Sequence, residues 1–186
     1  MVTPNSMSIQ FDDQATFWLF GYGSLIYKVD FPWLERRPGR IFNWSRRFWQ
    51  GSHDHRGTPD KPGRVVTLIK TPGAVCEGMA YRITAQEFAH LDHREKNGYV
   101  RLVTDVYFQD ATQATGVVYI AAPDNRAYLG PATEQEIARH IADCAGPSGE
   151  NSDYLLQLAH ALRELNEVDE HVFTIERHLL ALRSGA

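Results

Sequence analysis

The chain has 186 residues, of which 43% are hydrophobic and 23% charged, enough for one domain with a sizeable core. Domains that bind nucleic acid or anionic membranes are usually basic, so the net charge of −4 gives no reason to expect such a partner. No apolar run approaches the length of a membrane span, and the polar N-terminus lacks the pattern of a signal peptide. Cys76 and Cys144, the two cysteines, are no disulfide framework. We therefore expect a cytoplasmic protein without a nucleic-acid, membrane or obligate protein partner.

Residues 1–16 are expected to form a flexible N-terminal tail, and residues 17–186 a single domain. Aromatic and β-branched runs bounded by glycine, proline and asparagine predict strands in the first two thirds of the domain. Residues 36–40 and 71–73 have the composition of turns. The predicted strands are 17–27 with its closing turn, 41–50, 64–70, 75–83, 99–108 and 116–121.

Two capping boxes predict helix starts, one from Thr84 to Glu87 and one from Thr133 to Glu136. The first helix should run to about Lys96 and stop before Gly98. Apolar residues at helical spacing predict further helices in the last third. Because helices do not alternate with strands, the predicted fold is α+β, with a mixed or antiparallel sheet curled into a small barrel-like core with flanking helices.

The first predicted strand ends in Phe20-Gly21-Tyr22-Gly23-Ser24-Leu25. Glycine lets the backbone turn at positive φ or lie close to a ligand. Such a turn points successive N–H groups into one concavity, which suits a carboxylate or a developing oxyanion. The alternative is a plain hairpin or crossover turn, because glycine pairs after strands are common.

Glu95 lies on the apolar face of the first predicted helix. At about 100° per residue, Phe88, Leu91 and Glu95 fall within about 60° of one another. Burial raises the pKa of a carboxylate, and such a group can take and return a proton near neutral pH. The alternative is that Glu95, at the helix end, is exposed or paired with an arginine.

Several motifs follow one another in order between Phe17 and Leu182. They are Phe20-Gly21-Tyr22-Gly23-Ser24-Leu25-Ile26, Ser45-Arg46-Arg47-Phe48-Trp49-Gln50-Gly51, His55-Arg56-Gly57, Lys61-Pro62-Gly63-Arg64-Val65-Val66-Thr67-Leu68, Leu91-Asp92-His93-Arg94-Glu95-Lys96-Asn97-Gly98-Tyr99, Tyr128-Leu129-Gly130-Pro131, and Gly146-Pro147-Ser148-Gly149-Glu150-Asn151 followed by Tyr154-Leu155. Together they resemble the ChaC family of γ-glutamylcyclotransferases, in its glutathione-specific branch.

The resemblance implies a γ-glutamylcyclotransferase-like fold and an enzyme, a lyase that takes part in glutathione degradation. Its reaction cyclises the γ-glutamyl group of glutathione and releases 5-oxoproline and Cys-Gly. The resemblance also implies that Tyr22, Gly23, Ser24 and Leu25 hold the γ-glutamyl part of the substrate, and that Glu95 is the catalytic carboxylate. The substrate's own α-amine is the nucleophile, so no metal and no cofactor are expected.

Further substrate contacts are expected from Tyr99, Tyr128 and Arg56. Either tyrosine could donate a hydrogen bond inside the pocket, although a packing role is the ordinary one for a buried tyrosine. Arg56 or Arg64 could pair with a substrate carboxylate, although loop arginines are usually solvated.

Other functions remain open at this level. One is a non-catalytic module that binds a γ-glutamyl ligand, and another is a cyclotransferase acting on other γ-glutamyl amines. Glu95 distinguishes a binder from an enzyme, because a binder needs no carboxylate there. His53 and His55 suggest a metal site, but no third ligand accompanies them at a regular spacing, so none is expected.

Overall fold

The computed structural model of the chain describes residues 15–94, 98–121 and 124–185. Its sheet has five main strands: β1 (Thr16–Gly21), β2 (Glu35–Ser52), β3 (Gly63–Thr84), β4 (Tyr99–Phe108) and β5 (Gln113–Ala121). They close into a barrel in the order β1-β3-β2-β4-β5. All neighbours are antiparallel except β1 and β5, which run parallel where Trp18 faces Gly116. The predicted barrel-like core is confirmed.

β2 and β3 form one long hairpin, which corrects two of the predicted turns. Residues 36–40 belong to β2, and Pro38 faces Met79 in the register. Proline is tolerated in a strand with a partly free edge, and β2 pairs with β4 only at Gly39 and Arg40. Residues 71–73 do not end a strand either, because they form a bulge in β3 opposite Asn43, whose side chain accepts a 3.0 Å hydrogen bond from the N–H of Gly73.

Four helices flank the barrel: α1 (Ala85–Arg94), α2 (Glu134–Ala142), α3 (Asn151–Glu164) and α4 (Glu170–Arg183). Between α2 and α3 lie two short strands, β6 (Ala145–Gly146) and β7 (Gly149–Glu150). The predicted caps are confirmed, since Thr84 accepts from the N–H of Glu87 at 3.3 Å and Thr133 from that of Glu136 at 3.2 Å. No helix in the described ranges is long and apolar enough to cross a membrane.

The core consists of two apolar clusters. One contains strand residues only, with Phe20, Ile41, Leu68, Val106 and Val118 taken from each of the five barrel strands. The other joins the barrel to all four helices. The segment that follows β1 lies where the two clusters meet, since Tyr22 packs against both.

Candidate active site

The segment that follows β1 is a tight turn that leads into a short 3-10 helix, Ser24–Ile26. Gly23 is buried there, with φ −130° and ψ −125°. A Cβ atom on Gly23 would lie 2.9 Å from the Tyr154 hydroxyl and 2.9 Å from Cγ2 of Val66. The close approach of α3 and β3 to the backbone therefore requires glycine at this position.

Every carbonyl oxygen from Tyr22 to Ile26 accepts a hydrogen bond. The donors are, in order, Nε of Arg46, the N–H of Ile26, the N–H of Lys28, the Tyr81 hydroxyl and Nη2 of Arg36. By contrast, the N–H groups of Gly23, Ser24 and Leu25 donate to no acceptor within the described ranges. The turn therefore presents N–H donors that no described residue uses, while its carbonyl oxygens are already bonded, and this suits an anionic group.

Arg46 holds this turn from inside the protein. Its side chain is 3% exposed, and Nε donates a 2.6 Å hydrogen bond to the Tyr22 carbonyl. Nη2 donates to the carbonyl of Glu77, and Nη1 forms a 2.6 Å ion pair with Asp169, the N-cap of α4. One guanidinium thus connects the turn, β3 and α4.

Tyr22 and Tyr119 connect the turn to the end of α1. The Tyr22 hydroxyl donates to the Tyr119 carbonyl at 2.7 Å, and the Tyr119 hydroxyl donates to Asp92 at 3.1 Å. Arg101 also pairs with Asp92, at 2.9 Å. Since Asp92 is in the last turn of α1, the chain of contacts reaches the part of α1 that precedes Glu95.

The proposed catalytic Glu95 itself lies outside the described residues. Phe88 and Leu91, the other two residues of the apolar face predicted for α1, are both buried. The chain is described again from Gly98, and Tyr99 pairs with Ala121 as β4 begins. The segments before and after Glu95 are therefore α1, which is linked to Tyr22 through Tyr119, and β4, which pairs with β5.

Polar side chains from other parts of the chain surround Gly23. Tyr154 of α3 is buried, and its hydroxyl accepts a 3.3 Å hydrogen bond from the N–H of Val66. Burial raises the pKa of Tyr154, and the nearby Tyr27 and Tyr99 raise it further. Tyr99 therefore lies near Tyr154, and it also lines a groove of about 840 Å³ with His53 and residues 124–127.

The predicted substrate contacts occupy different environments. Ser24 is exposed and Leu25 half-buried at the turn, while the Tyr22 hydroxyl is already bonded to β5. Tyr128 is paired with Gln50 of β2, and no hydrogen bond or ring contact found among the described residues joins it to the turn. The structure therefore brings Tyr22, Gly23, Ser24, Leu25 and Tyr99 to one region but does not join Tyr128 to it.

The two candidate arginines, Arg56 and Arg64, are both buried and both donate hydrogen bonds to protein groups. The guanidinium of Arg64 donates to the Phe48 carbonyl at 2.9 Å and to Nδ1 of His140 at 3.2 Å. Arg56 is buried beside Tyr154, with its Cζ atom 5.8 Å from the ring centroid, and donates through Nη1 to the Glu150 carbonyl at 3.0 Å. Which of the two arginines pairs with a substrate carboxylate therefore stays a prediction.

Three residues at the site, Arg46, Tyr27 and Tyr154, were not predicted. Tyr154 belongs to a motif of the family resemblance, but its helical spacing with other apolar residues gives no sign that its hydroxyl reaches Gly23. Arg46 sits in a strand crowded with aromatic residues, and its burial depends on Asp169, 123 residues later. Only the position of Tyr27, directly after the motif, could have drawn attention to it.

Comparisons with known proteins show relatives along most of the chain. Residues 17–182 match the sequence profile of a family described as ChaC-like protein. Gamma-glutamylcyclotransferase 2-3 of Arabidopsis thaliana is 46% identical over 179 residues, which cover 88% of this chain and 90% of the relative. Glutathione-specific gamma-glutamylcyclotransferase 1 of Danio rerio is 42% identical over 178 residues, which cover 90% and 91%.

A solved structure shows the same fold. The crystal structure of a γ-glutamyl cyclotransferase specific to glutathione from yeast is similar with a TM-score of 0.79 and 29% identity, over 91% of this chain and all of that chain. The family profile spans most of the described protein, including the turn at Gly23 and the four helices. The chain belongs to the ChaC family.

Proposed function

We propose that this protein cleaves glutathione by intramolecular cyclisation of its γ-glutamyl group, releasing 5-oxoproline and Cys-Gly. The observation that carries the proposal is the turn at Gly23, which presents three free N–H groups beside buried polar side chains. The relatives named for glutathione support the substrate, since one of them is 42% identical over 90% of this chain.

The reaction needs a folded substrate more than a reactive protein group. The α-amine of the γ-glutamyl group attacks its own γ-carbonyl carbon, a C–N bond forms, and the C–N bond to the cysteine nitrogen breaks. Holding amine and carbonyl in contact supplies much of the rate, because the effective molarity of such a pair is high. The N–H groups of Gly23, Ser24 and Leu25 can bind the carbonyl oxygen as negative charge develops on it.

Proton transfer is assigned to Glu95. Its carboxylate takes a proton from the attacking nitrogen and delivers it to the departing cysteine nitrogen, while the remaining proton exchange passes through solvent. The Glu95 assignment rests on the family resemblance and on the apolar face that Phe88 and Leu91 form in α1. Tyr99 is assigned to the same pocket because it follows Glu95 closely and lies near Tyr154.

A cytoplasmic location is part of this proposal. Cys76 and Cys144 are both buried free thiols, as expected of a protein from a reducing compartment.

The test is an incubation of the purified protein with glutathione, followed by mass spectrometry of 5-oxoproline and Cys-Gly. Equal release of both products is expected, and Glu95→Gln should abolish it because the amide keeps the shape but carries no proton. Glu87→Gln is the matched control, since Glu87 is on the first turn of α1 and pairs at 3.8 Å with exposed His90. Near-normal turnover by Glu95→Gln would overturn the base assignment, and turnover of γ-Glu-Ala alone would overturn the substrate.

A further inference from the structure

The hydroxyl of Tyr27 is a buried polar group without a hydrogen bond of good geometry in the described ranges. Tyr27 follows the 3-10 helix directly, and the side chain of Arg56 interacts with its hydroxyl. Burying a hydroxyl without a partner costs free energy, so such groups are rare in folded proteins and call for an explanation. A bound ligand that accepts a hydrogen bond there is one such explanation.

Arg56 is a buried cation in the same place. The residue is 8% exposed, and no carboxylate in the described part of the chain forms an ion pair with it. Its Nη1 donates to the Glu150 carbonyl and its side chain also interacts with the Tyr27 hydroxyl, and neither of these partners is an anion. A buried guanidinium is ordinarily paired with an anion, and its planar fork suits a carboxylate.

Tyr27 and Arg56 meet around Tyr154. The rings of Tyr27 and Tyr154 pack edge to face with centroids 6.4 Å apart, and Cζ of Arg56 lies 5.8 Å from the Tyr154 centroid. The Tyr154 hydroxyl is in turn next to Gly23, where a Cβ atom would lie 2.9 Å away. The Tyr27 hydroxyl and the Arg56 guanidinium therefore lie beside the turn that presents its N–H groups.

The ionisation of Tyr27 fits a hydrogen-bond donor. Burial raises the pKa of its phenol to about 12, although the charge of Arg56 opposes the rise. The hydroxyl is therefore protonated at neutral pH, and it can donate to an anion that Arg56 attracts.

We propose that Tyr27 and Arg56 together form a carboxylate subsite, which binds the α-carboxylate of the γ-glutamyl group. This inference rests on the proposed function. The α-carboxylate and the attacking amine share one carbon atom, so anchoring the carboxylate places the amine. Because this pair is buried, it suits the end of the substrate that enters first, while the Cys-Gly part extends toward solvent. The N–H groups of the turn then remain for the oxyanion.

The test compares Tyr27→Phe with the wild type on three substrates: glutathione, its α-carboxamide analogue and its glycine-carboxamide analogue. The wild type should prefer glutathione to the α-carboxamide by about 10- to 100-fold in kcat/KM, as for hydrogen bonds to a charged group. Tyr27→Phe and Arg56→Gln should each reduce this preference by about tenfold. Neither variant should change the ratio of kcat/KM for glutathione to kcat/KM for the glycine-carboxamide analogue.

Tyr27→Phe should lower the melting temperature only slightly, because its hydroxyl makes no hydrogen bond of good geometry in the described ranges. Tyr107→Phe is the matched control, since Tyr107 packs against Phe42 at the far end of β4. An unchanged preference in Tyr27→Phe, or a loss confined to the glycine carboxamide, would overturn the subsite.

Absence of products from the wild type is a separate failure, that of the proposed function. Calorimetric titration of Glu95→Gln with glutathione, with and without Tyr27→Phe, then still reports on the subsite, and equal affinities would refute it.

Discussion

Asp169 accepts a 2.6 Å hydrogen bond from Nη1 of Arg46, which ties the N-cap of α4 to the strand that holds the Gly23 turn. The pair is almost fully buried, with Arg46 3% and Asp169 16% exposed. Removing one partner of a buried ion pair leaves an uncompensated charge, so Arg46→Met should lower the free energy of unfolding by about 3–5 kcal/mol. Urea unfolding measures this. Arg37→Met is the control, because Arg37 pairs with a half-exposed Asp110, and should cost less than about 1 kcal/mol.

Asp169→Asn should separate stability from activity. Asparagine is as good an N-cap as aspartate, so α4 keeps its cap while the charge of the pair is lost. Arg46 keeps its hydrogen bond to the Tyr22 carbonyl in this variant, and that bond positions the turn. We expect Asp169→Asn to lose stability but keep most of its kcat/KM, and Arg46→Met to lose both. Equal loss of kcat/KM in the two variants, measured below their unfolding temperatures, would contradict a positioning role for Arg46.

Gly23→Ala should disturb the turn sterically. The new methyl group would lie 2.9 Å from Cγ2 of Val66 and from the Tyr154 hydroxyl, closer than carbon atoms approach in folded proteins. Overpacking of this kind costs about 1–3 kcal/mol and displaces the backbone. The melting temperature and kcat/KM should both fall. Val66→Ala removes one of the two obstructing atoms, so the double variant should lose less stability than the sum of the single variants. Strict additivity would show that the methyl group is accommodated elsewhere.

The parts of this architecture that local chemistry decides could be predicted from the sequence. The caps at Thr84 and Thr133 need only a hydroxyl three residues before a helical N–H, and β4 was predicted with its observed ends. The turn at Gly23 was predicted for the same reason, because glycine marks sharp backbone turns.

Long-range packing decided what the sequence could not show. Pro38 and Pro72-Gly73 have the composition of turns, yet pairing between β2 and β3 overrides that preference over a long hairpin. The parallel contact of β1 with β5 has no local signal at all. The meeting of Arg56 and Tyr27 around Tyr154 likewise emerges only when α3 is placed over the turn.

Tyr119→Phe should weaken the connection between the turn and α1. The change removes the 3.1 Å hydrogen bond to Asp92 but keeps the Tyr119 carbonyl that accepts from Tyr22. Asp92 keeps its partner Arg101, so the loss of stability should be about 1 kcal/mol or less. Because the proposed catalytic Glu95 is three residues after Asp92 in the sequence, kcat should fall more than KM changes. A change in KM alone, measured with glutathione, would contradict the connection.

His171 should make the stability of the protein depend on pH. Its Nε2 accepts a 3.0 Å hydrogen bond from the N–H of Phe48, so Nδ1 carries the proton and faces Glu134 at 3.3 Å. Burial lowers the pKa of His171, and the charge of nearby Arg47 lowers it further. The unfolded chain, in which His171 has its ordinary pKa of about 6.5, therefore binds the proton more readily than the folded chain.

The sign of the effect follows from proton binding. Between the ordinary pKa and the lower folded pKa, the unfolded state holds more protons, so the free energy of unfolding falls as the pH falls below about 6.5. His171→Gln can still accept from the Phe48 N–H but does not titrate, so it should flatten this fall. Urea unfolding between about pH 7.5 and pH 5 measures the difference. His160→Gln, on the exposed face of α3, is the control and should keep the wild-type slope. An identical slope in His171→Gln would show that protonation of His171 does not destabilise the fold.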